Sequence, residues 1–242
     1  MLAPLLVPCG APDAFAAALP SGADALVFGL GEGGAFGDRA ARRRLVLAAL
    51  AAARARAERA RLVVRVAALP TGLVDADLDA VMAGAPDAVM LPGAAGAADV
   101  QHLAAKLAVR EAEHGLAAGR TAVIASVDTA MGVLALPTMP GASSRLLALG
   151  WDAAALAADV GAKGERAQPC RSARGLLLIA AAAAGVPAID APSRKGGAAL
   201  ARECDAARRD GFSGKLALHP NQVPVILDRF APKQVLGNLL TF

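Results

Sequence analysis

The sequence predicts a single-domain α/β fold, a (β/α)8 or TIM barrel, on three observations. Short apolar runs alternate with longer amphipathic stretches along the chain, the runs number about eight, and no Ser/Gly-rich or charge-rich linker divides the 242 residues. Continuously apolar strands separated by crossover helices imply a parallel sheet buried on both faces. Hydrophobic residues make up 56% of the chain, yet aromatics are only 3% and Tyr is absent, so the core is built mainly from Ala, Leu and Val.

Each strand is short and apolar: residues 5–8, 25–28, 62–66, 88–91, 122–127, 145–149, 188–190 and 215–218. Helical patterns fill the spaces, at 39–60, 97–114, 172–184 and 198–210. The apolar run 175–189 falls short of the roughly 20 residues a bilayer requires and contains Gly185 and Pro187, so it reads as a helix turning into a strand. The stretch Gly211-Phe-Ser-Gly-Lys-Leu-Ala-Leu-His-Pro-Asn-Gln222 closes the pattern. Its strand ends at His219-Pro220, because Pro cannot donate to a ladder and suits a first helical turn, and a last helix occupies 221–230.

An open, doubly wound sheet is the rival fold. Gly29-Leu-Gly-Glu-Gly-Gly34 satisfies GxGxxG through Gly29, Gly31 and Gly34. A dinucleotide site also needs an acid about 20 residues on, at the next strand end, and Arg65 stands there. The segment is read as a glycine loop.

Charge and cysteine usage narrow the function classes. The net charge is +4, but the arginines are scattered along helices. Arg42, Arg43, Arg44, Arg54, Arg56, Arg59 and Arg61 read as a solvent-facing stripe, so no nucleic-acid partner is expected. Cys9, Cys170 and Cys204 lack metal-ligand spacing and an even count, which fits a reducing cytoplasm. No membrane partner and no signal peptide are expected.

The ordered pieces Pro8-Cys-Gly10, Gly22-Ala-Asp-Ala-Leu26, Arg65, Met90-Leu-Pro92, Asp128-Thr-Ala-Met-Gly132, Asp159-Val-Gly161, Ala184-Gly-Val-Pro-Ala-Ile-Asp190 and the closing stretch to Gln222 carry a resemblance. The chain resembles the citrate lyase beta-chain family, grouped with the HpcH/HpaI aldolases and including malyl-CoA and citramalyl-CoA lyases. The resemblance implies a (β/α)8 barrel with chemistry at the C-terminal strand ends. It also implies a magnesium ion held by a Glu and an Asp, a 2-oxo acid or acyl-CoA thioester as substrate, carbon–carbon cleavage through a metal-stabilised enolate, and a homo-oligomer. A hard cation takes oxygen ligands, and stabilising the enolate oxyanion is the main electrostatic task.

Several strand ends depart from the family pattern. Asp128 stands at the first metal-ligand position, normally Glu. Around the sixth strand, Trp151, Asp152, Ala154 and Ala155 take the places of Phe, Gly, Glu and the metal-binding Asp, so the second ligand is missing. Gly29-Leu-Gly-Glu32 replaces Asp-Leu-Glu-Asp, Gly93 and Ala95 replace Lys and Glu, and Ala67 replaces Asn. The chain also stops at Phe242, where relatives carry a C-terminal lid, so the lid is expected to be missing. Two functions are compatible with these departures: a weakened lyase, or a noncatalytic member binding a metabolite or protein partner.

Every candidate residue has two roles to choose between. Arg65, at the mouth, grips a substrate carboxylate or forms an ion pair with Glu32 or Asp128. Asp128 is a metal ligand and catalytic residue, or accepts backbone N–H bonds in its loop. Asp152 is a compensating metal ligand, or the N-cap of a helix starting at Ala153. Asp190 orients a loop or caps the segment after its strand. Arg194 and Lys195, in Ser193-Arg-Lys-Gly-Gly197, meet CoA phosphates or form a solvated turn. His219 is an acid/base group or a structural hydrogen-bonding group, the second being the reading taken. His102 and His114 are expected to be solvated.

Overall fold

Eight strands pair in parallel, in strict sequence order, in the computed structural model, which describes residues 3–8, 13–30, 38–55 and 60–231. The strands are β1 (Pro4–Pro8), β2 (Ala25–Gly29), β3 (Arg61–Arg65), β4 (Ala88–Leu91), β5 (Ala122–Val127), β6 (Leu146–Trp151), β7 (Ala188–Asp190) and β8 (Gly214–Lys215). Between them run α1 (Ala14–Ala18), α2 (Arg39–Arg54), α3 (Val74–Val81), α4 (Ala97–Glu113), α5 (Ala130–Ala135), α6 (Ala153–Asp159), α7 (Gln168–Ala183) and α8 (Gly197–Asp210), with α9 (Val223–Phe230) after β8.

Closure depends on a change of partner in the last strand. Leu216 N–H donates to Asp190 O at 3.2 Å, on the β7 side. Ala217 then bridges Leu5 of β1: its N–H donates to Pro4 O at 2.8 Å and its carbonyl accepts from Leu6 N–H at 2.9 Å. The ring is complete, and the open-sheet rival is excluded. The regular part of β8 is therefore shorter than the predicted 215–218, because its second half serves the other neighbour.

Alternation along the strands sorts the side chains into two cores. Ala25, Val27, Val63, Met90, Ile124, Ala148 and Ile189 fill the lumen, with Leu6 and Leu216 against them. Leu5, Phe28, Leu62, Val64, Leu91 and Leu149 face the helices. Among the described residues, no helix is long and apolar enough to cross a membrane.

The arginine stripe is a correction. Arg43 Nε donates to Asp77 Oδ1 at 2.9 Å, and Arg39 holds the same carboxylate through Nε at 3.0 Å and Nη2 at 2.6 Å. Asp77 is fully buried and also accepts Ala67 N–H at 2.9 Å. Arg54 donates to the carbonyls of Gly84 and Ala85. Arg39 and Arg43 staple α2 to α3 and Arg54 staples α2 to the turn after α3, while Arg44 and Arg61 are exposed as expected. Helix α7 begins before the predicted 172, with Pro169 in its first turn, and α1, α3, α5 and α6 were not foreseen. Cys9, Gly10, Gly31, Glu32, Gly34, Arg56, Arg59 and the stretch 232–242, on which the lid expectation rests, lie outside the described residues.

Candidate active site at the barrel mouth

The lumen-facing register carries Arg65, Ser126, Asp128 and Asp152 to the C-terminal ends of β3, β5 and β6. There a cavity of about 130 Å³ opens, its walls including Leu6, Arg65, Met90, Ile124, Ser126 and Asp152. A larger cleft of about 530 Å³ lies under Gly22 and Asp24 at the opposite strand ends, and Asp24 is its only titratable lining residue among those described.

Asp128 is buried, and both its oxygens are engaged. Ser126 Oγ donates to Oδ1 at 2.6 Å, and Gly93 N–H donates to Oδ2 at 3.1 Å across the β4–β5 boundary. Burial pushes its carboxyl above the usual carboxylate range, and the Asp152 charge adds to this; Ser126, Gly93 and the Arg65 guanidinium pull the other way. The expected backbone acceptance is present, but from the neighbouring loop rather than its own. The loop after β5 is held by Thr129, which caps α5 through Gly132 N–H at 3.1 Å, and by Asp159, which accepts Ala130 N–H at 2.7 Å.

Asp152 is the N-cap of α6. Its Oδ1 accepts Ala154 N–H at 3.0 Å and Ala155 N–H at 3.1 Å. The cap occupies that oxygen alone, and no described residue donates to Oδ2 at the mouth. Arg65 is half-buried and its guanidinium makes no hydrogen bond or ion pair with a described residue; Asp128 is within its electrostatic range, and Glu32 lies outside the described residues.

Arg194 and Lys195 are not part of this cluster. They line a separate cleft of about 630 Å³ over α7 and α8, and Trp151, Asp190 and Pro192 form the wall it shares with the mouth cavity. Lys195 Nζ is paired to Glu203 at 2.7 Å, while Arg194 is exposed. Asp190 faces outward, accepting Trp151 Nε1–H at 3.1 Å and Lys215 Nζ at 2.9 Å. It ties together the ends of β6 and β8, rather than orienting a loop or capping the segment after its own strand.

His219 is exposed and caps the 3-10 turn Pro220–Gln222, which favours its structural reading. The buried Gln222 beside it is the clamp. Its Oε1 accepts from Leu218 and His219 N–H, and its Nε2 donates to Ser193 O and Lys195 O, both at 2.7 Å. His102 and His114 are exposed.

Sequence reasoning missed Ser126, Lys215 and Asp77. The parity of β5 was a usable signal for Ser126, since it stands two residues before Asp128 and so shares its face.

A model of the family described as HpcH/HpaI aldolase/citrate lyase matches residues 3–220. The chain belongs to this family. Within it, the chain is 28% identical over 218 residues to the citrate lyase subunit beta of Leuconostoc mesenteroides subsp. cremoris, covering 88% of this chain and 71% of that one. The citrate lyase beta subunit of Mycobacterium tuberculosis complexed with oxaloacetate and magnesium superposes with a TM-score of 0.76 at 30% identity, covering 95% of this chain and 96% of that one. Protein CitE of the same organism, in complex with magnesium, acetoacetate and coenzyme A, gives a TM-score of 0.77 at 29% identity, covering 96% of this chain and 82% of that one.

Magnesium in these relatives raises the question of fit here. Among the described residues, no group of three His, Cys, Asp or Glu gathers. The donors that do converge are two carboxylates, hard oxygen ligands of the kind magnesium takes one or two at a time, with water and substrate completing the shell. A carboxylate has about four acceptor sites, so Asp128 and Asp152 both keep lone pairs beyond their present bonds. The Asp128 carboxyl is raised first by its burial and in lesser part by the Asp152 charge, and a cation between the two would relieve that repulsive part. The residues fit a two-carboxylate magnesium site.

Proposed function

We propose that this protein is a carbon–carbon lyase acting on a short acyl-CoA thioester or 2-oxo acid, with a magnesium ion held more loosely than a site with more protein ligands would hold it. The observation that carries the reading is the placing of Arg65 and Asp152 on one small cavity at the C-terminal strand ends, with Asp128 beside them in electrostatic range of both. Magnesium, when bound there, would polarise the substrate oxygen on which negative charge develops during cleavage. Arg65 holds the substrate carboxylate, for which its guanidinium, without an ion-pair partner among the described residues, is suited. Asp128 and Asp152 supply the oxygens that fix the cation, and Ser126 and Gly93 hold Asp128 in place. Leu6, Met90 and Ile124 keep the floor dry and strengthen each polar contact above it.

For a thioester, the outer cleft takes the phosphate-bearing arm. Arg171, Arg194 and Lys195 line it within reach of the mouth across Trp151 and Pro192. The test is cleavage of malyl-CoA, citramalyl-CoA and a 4-hydroxy-2-oxo acid with and without magnesium. Magnesium-stimulated cleavage of one of them, lost at least about a hundredfold in Asp128→Ala, is expected; no turnover across the panel and no calorimetric magnesium binding would exclude the lyase.

A second reading, a noncatalytic binder of the same acids, is favoured by the small donor set and by Ala155, which offers only its N–H, already given to Asp152. It predicts acid binding at the mouth without cleavage. Magnesium-dependent turnover abolished by Asp128→Ala would end it.

A further inference from the structure

We propose that Ser126 determines specificity at the mouth by accepting a hydrogen bond from a ligand hydroxyl, so that the site prefers a short hydroxylated carboxylic acid to its counterpart lacking that hydroxyl. The inference rests on the reading of the mouth as the substrate site. Ser126 is 7% exposed, and its side chain lines the cavity from an inward position of β5. A hydroxyl carries one donor and two acceptor lone pairs. The donor is committed when Asp128 ligates a cation: Oγ lies 2.6 Å from Asp128 Oδ1, and a ligating carboxylate is deprotonated, so the proton of that bond is the one on Ser126.

With the proton turned toward Asp128, the lone pairs of Oγ remain, and no described group donates to them. A ligand placed there therefore meets an acceptor that a hydroxyl satisfies and a methylene or carbonyl group does not. The neighbouring walls Leu6, Met90 and Ile124 are apolar, and the other strong side-chain acceptors of the cavity are Asp152, read as a cation ligand, and Asp190, which already accepts from Trp151 and Lys215. At about 30 Å³ per water, the cavity of about 130 Å³ has room for roughly four waters, the scale of a small acid. Such an acid, with its carboxylate on Arg65, reaches Ser126 with a neighbouring substituent.

Calorimetric titration of the full chain, in magnesium-containing buffer, with malate and with succinate isolates the hydroxyl. The parent is expected to bind malate about tenfold more tightly, the scale of one hydrogen bond. Ser126→Ala should bring the malate-to-succinate affinity ratio to about one, whatever loss both acids share from a less firmly held Asp128, and Ser126→Thr, which keeps the hydroxyl, should restore the preference. If Ser126→Ala does not fold, Ser126→Cys carries the same comparison, since a thiol is a poor hydrogen-bond partner.

A parent without preference, a variant that retains it, or a variant that weakens both acids equally would overturn the inference. The last outcome would mean that Ser126 serves Asp128 alone. Thioester cleavage is read separately: a Ser126-dependent preference without cleavage keeps the inference and removes the lyase, and cleavage without preference does the reverse.

Discussion

Asp128 and Glu111 are buried carboxylates that their surroundings push in opposite directions. Burial acts against ionisation in both. For Glu111 it is outweighed by Arg145, which holds both oxygens at 2.7 Å, and by the N–H groups of Thr121 and Gly119, so the carboxyl falls from 4.5 to about 2. A lowered folded-state pKa stabilises above the unfolded value, and that stability is lost as pH falls from 4.5 towards 2. The shift corresponds to about 3 kcal/mol. Chemical denaturation between pH 6 and pH 3 is expected to show this loss, and Glu111→Gln should remove the slope while costing roughly 3–5 kcal/mol near neutrality by leaving Arg145 unpaired.

For Asp128 burial wins, and the folded-state pKa lies above 3.8. The folded protein then holds the proton more tightly than the unfolded chain, so this group lowers stability as pH rises through the window between the two values. Asp128→Asn should lack that component of the pH profile. Magnesium competes with the same proton, so calorimetric magnesium affinity should weaken as pH falls through the window.

The short elements that hold the mouth explain why the motifs read as they do. Gly132, in α5, lies so close to the loop after β4 that an added Cβ would sit 2.6 Å from Ala94 O, a backbone atom with little room to yield. Gly132→Ala should cost roughly 1–3 kcal/mol, the range of an overpacked core site, and weaken magnesium affinity, because the displaced loop begins at Asp128. Thermal melts and titration check the two together. Gln222→Leu removes the clamp between the end of the barrel and the loop bearing Arg194 and Lys195, leaving Leu218 N–H, Ser193 O and Lys195 O without that partner. A loss of about 2–4 kcal/mol is expected from several unsatisfied groups, with faster proteolysis in the 193–197 loop.

Legibility depended on physical range. β4, β5 and β7 were readable at their observed bounds because both faces are buried, which leaves an unbroken apolar run. α1, α3, α5 and α6 span 5 to 8 residues and are too short for a helical period to emerge. The arginine spacing along α2 marks a helical face, but its partner Asp77 comes from another element 34 residues from Arg43, which no local pattern contains. Asp128 and Asp152 could be named from family motifs, whereas their mutual repulsion and the wall between the two cavities arise only when the strands converge.

At the scale of the whole molecule, the barrel puts two chambers on either side of Trp151, Asp190 and Pro192, one small and floored by apolar side chains, the other broad and basic. The division of labour between them is testable with a CoA analogue lacking the acyl group, whose affinity should fall in Arg194→Ala and be unmoved by Arg65→Ala. The seam at Ala217 has a different consequence. Leu5 and Ala217 are partners across nearly the whole described chain, so β1 emerges during synthesis long before the residue that closes on it. Until then its outer edge is an unpaired strand of Leu and Val, a template for pairing with another chain. This ordering makes ring closure a late, non-local event, slow for the same reason that long-range contacts slow folding generally, and it places the aggregation hazard of the nascent protein at its first strand rather than at its site.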